Sequence, residues 1–507
     1  MNNREPNTPI EYLYELYGRR PPVQAMARLE TERHLMYKGF MDDLMLIAYL
    51  RETAKEKGSD VTINGALNGS FLAFIFGCTD VNPLPPHNHC PVCKKSCFFC
   101  GGDGWDLPQL ECCNTKTIWD GHEIPVESVM ETLKDPNNML ELRLAESFAD
   151  EAVRIIRKHF QQQGLTMVQY DLDCLRADTL EFMLIPSDEP LPPLDENGIW
   201  HTCMDELYER KTRLITLDFD DRKEKIRTFR AKMNAEPTIQ DLLSEDVLAV
   251  AAERIRMMIH GNGGTLLKPD KLCFSSLLKE FGYLHSSHTE ENPVYQKPDS
   301  KYSELFTCRE EVFDLMRKAM KPKYGISNEY ALYITKKTRR GMFTGNRMKP
   351  ETERVLHDME IPDAWVQQMK ETYYLPSKAN LIQMLLDEMK ITWYELNSEE
   401  NSSNCRAGRF MLYKGELRPS DSYLETHTLP DYSPDDWYND FYRVDDDEEV
   451  LKMKRVCKKC GAEFTIEEAR EQYRTEYDWP IYTDEFVGDL CARCAIKETA
   501  KLFGKSE

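Results

Sequence analysis

Residues 82–122 read NPLPPHNHCPVCKKSCFFCGGDGWDLPQLECCNTKTIWDGH. This stretch holds six of the sixteen cysteines in a chain of 507 residues, behind a proline-stiffened approach. Cys90-x2-Cys93 and Cys97-x2-Cys100 are knuckles, and Cys112 and Cys113 are an adjacent pair. Thiolates two residues apart can turn onto one ion, whereas adjacent cysteines chelate less readily; zinc is the usual occupant of a set of four. The spacing predicts a structural zinc held by Cys90, Cys93 and Cys112, with Cys113 or Cys100 as the fourth ligand. His87, His89 and His122 stand nearby and read equally well as surface histidines.

The tail repeats the signal more regularly, with Cys457-x2-Cys460 and then Cys491-x2-Cys494. Gly461 follows the first knuckle as a tight zinc turn prefers, and the second opens the helix-like CARCAIKETAKLF. This order predicts a treble-clef or zinc-ribbon module. Four thiolates leave no open position on the ion, so the zinc is structural rather than catalytic. Two Zn²⁺ ions are therefore expected per chain.

Working outward, 507 residues exceed one ordinary core, and roughly 100–200 residues per domain gives about two to four units. Charged residues make up 30% and hydrophobic ones 41%, a globular composition. The net charge of −22 repels nucleic acid and acidic membranes at long range, so any DNA contact has to come from a local basic patch. Much of the acidity lies in 421–449, which reads as a solvated linker. No apolar run approaches the ~20 residues that span a bilayer, and MNNREPNTPIEY lacks the apolar core of a signal peptide. The expectation is a cytoplasmic protein with no membrane partner. Cys78, Cys174, Cys203, Cys273, Cys308 and Cys405 stand alone and read as small buried hydrophobes.

Along the chain, residues 24–57 are expected to form one helical region, with Met26, Leu29, Leu35, Met36, Phe40, Leu44, Ile47 and Leu50 at helical steps. FLAFIFGC (71–78) reads as a buried strand and 144–163 as a helix. RLITLDFDD (213–221) is a short apolar strand ending in acids. Further helices are predicted at 245–259, 308–320, 351–360, 363–373 and 377–396, and 398–450 as a linker. The most basic stretch, KPKYGISNEYALYITKKTRRG (321–341), carries Lys336, Lys337, Arg339 and Arg340 after Tyr324, Tyr330 and Tyr333. Cations beside aromatics hold single strands by phosphate neutralisation and stacking; a solvated turn between helices is the plain alternative.

With these residues laid out, the chain resembles the PolC-type DNA polymerase III alpha subunit, a bacterial family C replicative polymerase. NPLPPHNHCPVCKKS is similar to that family's E-V-N-P-L-P-P-H-Y-x-C-P-x-C-K, and GWDLPQLEC leads on to DGHEIPVE, which resembles D-G-H-D-I-P-F-E. NGALNGSF (64–71) resembles the glycine-serine motif, without its arginine. RLITLDFDD resembles L-L-K-L-D-I-L-G-H-D-D, FGYLHSSHT (281–289) resembles G-L-S-H-G-T, and FTCREEVFDLMRKAMKP (306–322) resembles I-G-C-R-D-D-I-M. IPDAWVQQMKETYYLPSKAN (361–380) resembles the segment ending P-K-A-H, with Lys378 kept and Asn380 at the histidine position. The matches are collinear and cover roughly 26–396.

The resemblance implies an α+β fold: a polymerase-like palm with a mixed sheet, helical fingers and a small C-terminal zinc-binding domain. The corresponding division is an arm at 1–25, a palm-like domain at 26–245 with the zinc insertion at 82–122, fingers at 246–397, an acidic linker at 398–450 and a zinc domain at 451–507. The implied chemistry is phosphoryl transfer with two Mg²⁺ held by both Asp of P-D-I-D and the Asp of K-L-D. The last survives as Asp218. Placing NNMLELRL (137–144) on P-D-I-D-L-N-F puts Met139 at the first acid and Glu141 at the second. Methionine offers no oxygen to a hard ion. The family's T-V-A-D-K-T-A-Y-G and Q-H-P-G-G motifs have no counterpart in 145–197.

Three functions follow as alternatives. The first is a PolC-like protein that no longer polymerises and binds DNA or a replication protein, through Lys336, Lys337, Arg339, Arg340 and Lys378. The second is an active nucleotidyltransferase with a rebuilt Mg²⁺ site on Glu141, Asp218 and a third acid. The third is a protein-binding regulator without nucleic-acid affinity.

Overall fold

The computed structural model describes residues 9–99, 101–137, 139–172, 178–203, 206–207, 210, 212–261, 271–288, 305–319, 328–345, 347–398, 406–407, 410–413, 416–419, 454–465, 468–469 and 490–494. Cys100, Cys174, Cys405, Tyr324 and most of the expected linker lie outside them.

Helices α1 (Pro9–Tyr17), α2 (Val23–Leu35) and α3 (Phe40–Glu56) lead into β1 (Val61–Ile63) and the short α4 (Phe71–Ile75). The cysteine-rich stretch carries β2 (His87–His89), β3 (Ser96–Phe98), β4 (Glu111–Cys112), β5 (Thr115–Lys116) and β6 (Ile118–Asp120). There follow α5 (Met130–Lys134), β7 (Leu140–Leu144), α6 (Ala149–Gln162), β8 (Leu165–Leu172), β9 (Thr179–Pro186), β10 (Ile199–Thr202), β11 (Leu214–Phe219) and α7 (Asp221–Met233). Next are α8 (Ile239–Leu242), α9 (Glu245–Gly261), α10 (Phe274–His285), β12 (Ser287–His288), α11 (Arg309–Ala319), α12 (Asn328–Arg339), α13 (Pro350–Asp358), α14 (Asp363–Glu371), β13 (Thr372–Tyr374) and α15 (Lys378–Asn397). Strands β14 (Arg406–Ala407), β15 (Phe410–Tyr413) and β16 (Glu416–Pro419) pair with one another, as do β17 (Arg455–Val456) and β18 (Glu463–Phe464).

The fold is mixed α+β, as expected. Six strands form one sheet in the order β1-β7-β11-β9-β8-β10, with β7 and β11 parallel and β1 and β9 antiparallel beside them. Side chains alternate across a strand. In β7, Leu140, Leu142 and Leu144 turn into the core, where they join Ile215 and Leu217 of β11 and residues of α3 and α6. The opposite face of the same two strands carries Glu141, Arg143, Thr216 and Asp218. A second core gathers α9, α10 and α15, and a third gathers α11 to α14. Among the described residues no helix is long and apolar enough to cross a membrane.

Several local expectations change. The region 24–57 is two helices, because the chain leaves α2 at Met36 in an extended conformation and Gly39 enters α3 at φ 98°, a left-handed value that glycine adopts readily. FLAFIFGC is not a strand but α4. The Ser70 side chain accepts from Ala73 N at 3.2 Å, and the buried Glu32 carboxylate accepts from Phe71 N at 2.9 Å and Leu72 N at 3.0 Å. Satisfying the open amides of a first turn makes a helix of a run whose composition suits a strand. The helix predicted from 144 begins at Ala149, because Leu144 still belongs to β7. Lys336, Lys337 and Arg339 of the basic block close helix α12, and Arg340 lies in the turn that follows.

Helix α15 ties distant parts together. Ser377 caps it by accepting from Asn380 N. Asn380 Oδ1 accepts from Gly65 N at 3.0 Å, Gln383 meets Asp80, and Tyr394 Oη donates to Ala235 O at 2.9 Å. Asp387 meets Lys223 of α7 at 2.7 Å, and both side chains are fully buried.

Candidate functional site

The end of β11 opens into a cleft of about 880 Å³ lined by Arg143, Glu146, Ser147, Asp178, Asp218, Asp220, Asp221, Arg222 and Glu224, among others. The parallel register pairs Asp218 with Arg143 and Glu141 with Thr216. The side chain beside Asp218 is therefore Arg143, and Glu141 lies one step back along the strand and does not line the cleft. Arg143 Nε stands 3.7 Å from Asp218 Oδ2, and its Nη2 donates to Asn64 Oδ1. Burial, then Arg222 nearby, pulls the Arg143 pKa below its ordinary value. A guanidinium at this separation offsets the charge that a divalent ion would need.

Two further acids of the cleft are also engaged: Glu224 accepts from Ser147 Oγ and pairs with Arg227, and Asp220 is tied to Arg222. Asp220 caps α7 by accepting from Arg222 N at 3.0 Å and takes three further bonds from the Arg222 side chain, at 2.9, 3.2 and 2.7 Å. Burial opposes its ionisation, but the Arg222 side chain outweighs burial and holds its pKa low. Among the described residues, only two groups bring three or more metal-binding atoms within 4.8 Å of one another, and both consist of cysteines. The gathering of Glu141, Asp218 and a third acid that the active-nucleotidyltransferase alternative requires is not among them. The sequence signal for Arg143 was available: LELRL alternates, so Glu141 and Arg143 share a face. The strand register needed to see Arg143 beside Asp218 was not.

The first cysteine group is Cys90, Cys93, Cys112 and Cys113. Cys93 Sγ lies 3.7 Å from Cys112 Sγ, and Cys112 Sγ lies 3.8 Å from Cys113 Sγ. A tetrahedral ion with Zn–S bonds near 2.3 Å separates its sulfurs by about 3.8 Å, so the donor set fits zinc. The adjacent pair can chelate because Cys113 and Asn114 take φ 53° and 57°, folding the chain back so that both thiols face inward. The second group is Cys457, Cys460, Cys491 and Cys494, with Cys460 and Cys491 Sγ 3.7 Å apart. It fits zinc by the same reasoning. His87, His89 and His122 belong to neither group. His87 and His122 are fully buried rather than on the surface, and burial holds the His87 pKa down at about 3.

Around the first group, the segment is clamped to two helices. Asp106 accepts from Phe274 N at 2.7 Å and Ser275 N at 3.0 Å at the start of α10. Asp103 holds His122 Nδ1 at 3.0 Å, and a side chain on Gly104 would stand 2.0 Å from the Asp120 carbonyl. Lys378 of α15 donates to His122 O at 2.6 Å and lies 3.7 Å from Asp103 Oδ2. Burial opposes its charge, yet Asp103 holds its pKa above the ordinary lysine value. This corrects the expectation for Lys378: its ammonium is committed inward.

The four cations of α12 and the residue after it diverge. Lys336 pairs with Glu131. Lys337 lies over the Tyr333 ring at 5.6 Å. Arg339 is half-buried, and burial followed by Arg309 and Arg340 lowers its pKa. Arg340 is exposed. They do not form one open patch.

No protein-family model matches the chain. It is 24% identical over 467 residues to the DNA polymerase III PolC-type of Clostridium perfringens, a match covering 77% of this chain and 32% of that one. Against the PolC-type enzyme of Thermotoga maritima the identity is 22% over 472 residues, 77% of this chain and 34% of the other. A shorter match to the Bacillus cereus enzyme reaches 39% over 121 residues, 23% of this chain and 8% of that one. The chain thus spans about a third of the length of the curated relatives it matches along most of its own length. Beside its mixed sheet and its cysteine-rich insertion, the chain is thus similar to DNA polymerase III PolC-type along 77% of its own length.

Proposed function

We propose that this chain acts in DNA replication or DNA metabolism by binding nucleic acid, or a replication protein, without polymerising. The observation that carries the reading is Arg143 in register beside Asp218. Two-metal phosphoryl transfer needs carboxylates gathered on both ions. Here a cation stands among them, and Asp220 serves Arg222 and the cap of α7. The residues present do not fit a Mg²⁺ pair, so no catalytic step is assigned to them. On this reading 26–245 is the palm-like part, 246–397 the fingers-like part and 451–507 a separate zinc module. Zn²⁺ braces both cysteine groups, and Lys337 of α12 and Arg340 just after it are the nucleic-acid contacts.

Primer extension on a primed template, with Mg²⁺ and separately with Mn²⁺, tests this. No extended product is expected from the wild-type chain. Extension that disappears in Asp218→Ala overturns the reading in favour of an active nucleotidyltransferase. DNA retention at low salt that does not respond to salt, or to Ala at Lys337 and Arg340, favours the protein-binding regulator.

A further inference from the structure

A second cleft, of about 550 Å³, lies away from the acidic one, between the α1–α2 connection and the first cysteine knuckle. Its walls carry Arg19 and Arg20 on one side and Lys94 and Lys95 on the other, and no carboxylate lines it. In a chain of net charge −22 this composition is the reverse of the surroundings. The cleft at Asp218 has six carboxylates against two arginines. Among the described residues Arg19, Arg20 and Lys94 enter no ion pair.

The two sides are held in place by backbone. Lys94 adopts φ 61° in the knuckle turn, and Gly18 adopts φ 79° against it. A Cβ at Gly18 would stand 2.9 Å from Lys94 Cβ, so the close approach of the two walls requires glycine there. Helix α2 starts in the same cleft. Its N-cap is Pro22, which offers no side-chain cap, and its first turn has no acid, so the positive end of the helix adds to the four cations. Ser96 Oγ and Gln24 Oε1, in residues lining the cleft, have no hydrogen-bond partner within the protein.

We infer that this cleft binds the phosphate backbone of a nucleic-acid strand. The inference rests on the nucleic-acid-binding reading above and moves its main contact from α12 to the knuckle. Four thiolates on Zn²⁺ carry a net negative charge, which Lys94 and Lys95 offset in part. Arg19 and Arg20 come from outside the knuckle and are left for the ligand.

The test uses the full zinc-loaded chain and fluorescein-labelled oligothymidylate, with anisotropy followed across a salt series. In Arg19→Ala/Arg20→Ala, binding at low salt weakens about tenfold. The slope of log affinity against log salt falls by about 1.4, from two fewer phosphate contacts on a single strand. Zinc content and circular dichroism stay unchanged, because both arginines are exposed. A charge-reversed Arg19→Glu/Arg20→Glu weakens binding further. Equal affinity and slope in these variants, with loss in Lys337→Ala/Arg340→Ala instead, overturns the cleft but leaves the reading of function intact. No binding by the wild-type chain overturns both. A poly-glutamate peptide bound as tightly as the oligonucleotide overturns the assignment to nucleic acid.

Discussion

At Arg143 a guanidinium sits 3.7 Å from Asp218 in a cleft whose other walls are mostly carboxylates, and its Nη1 is buried without a partner. The residue is buried, bonds Asn64 and sets much of the local charge. Replacing it by an acid should therefore change ion binding in the cleft. In Arg143→Asp, Mn²⁺ affinity measured by calorimetry is expected to rise about tenfold, or about 1.4 kcal/mol; unchanged affinity would show that the arginine does not control the cleft. Asp60 gives a second test. Burial raises its pKa, but Lys390, Lys223 and Arg230 outweigh burial and bring it from 3.8 to about 2. A depressed carboxylate stabilises the fold above its unfolded pKa, and this contribution is lost as pH falls through the folded one. Stability of the wild-type chain should thus drop between about pH 4 and pH 2, by roughly 2 kcal/mol from this group. In Asp60→Asn that part of the pH dependence disappears from urea midpoints measured across the range.

Among the elements, those with their own periodicity are legible in the sequence. RLITLDFDD is β11, and the runs near 245–259, 363–373 and 377–396 are helices because their apolar spacing is local, as is the Ser377 cap of the last. FLAFIFGC was not legible, because its cap is Glu32, whose oxygens arrive from a helix far upstream. The cysteine spacing identified the tail group fully and the first group as far as its fourth ligand. The adjacent Cys112 and Cys113 depend on a left-handed bend that spacing alone does not display. The expectation now is two Zn²⁺ per chain, read by a chromogenic metal assay after denaturation. Cys93→Ser/Cys112→Ser should lose one equivalent, and faster proteolysis should appear within 82–122. Retention of both equivalents would exclude this group as a zinc site.

At the scale of the molecule, the buried Lys223–Asp387 pair joins α7 to α15, with both side chains out of contact with water. Removing one partner leaves an uncompensated buried charge, so Lys223→Met is expected to destabilise by about 3–5 kcal/mol. Lys223→Met/Asp387→Leu should recover most of this in chemical denaturation; no recovery would mean the two residues act separately. The division at 245 drawn from the sequence cuts across this pair, because helical periodicity announced α15 without saying what it packs on. The bond from Gly65 to Asn380 spans 315 residues, and this has a consequence for the order in which the protein is made. At about 5–20 residues per second, a ribosome needs about 15–60 s to travel that distance. Through that interval the region around β1 and α4 exists without the helix that covers it. The nascent chain is thus a client for chaperones until α15 emerges, and a premature stop just before Ser377 would yield protein that is degraded rather than a working N-terminal half.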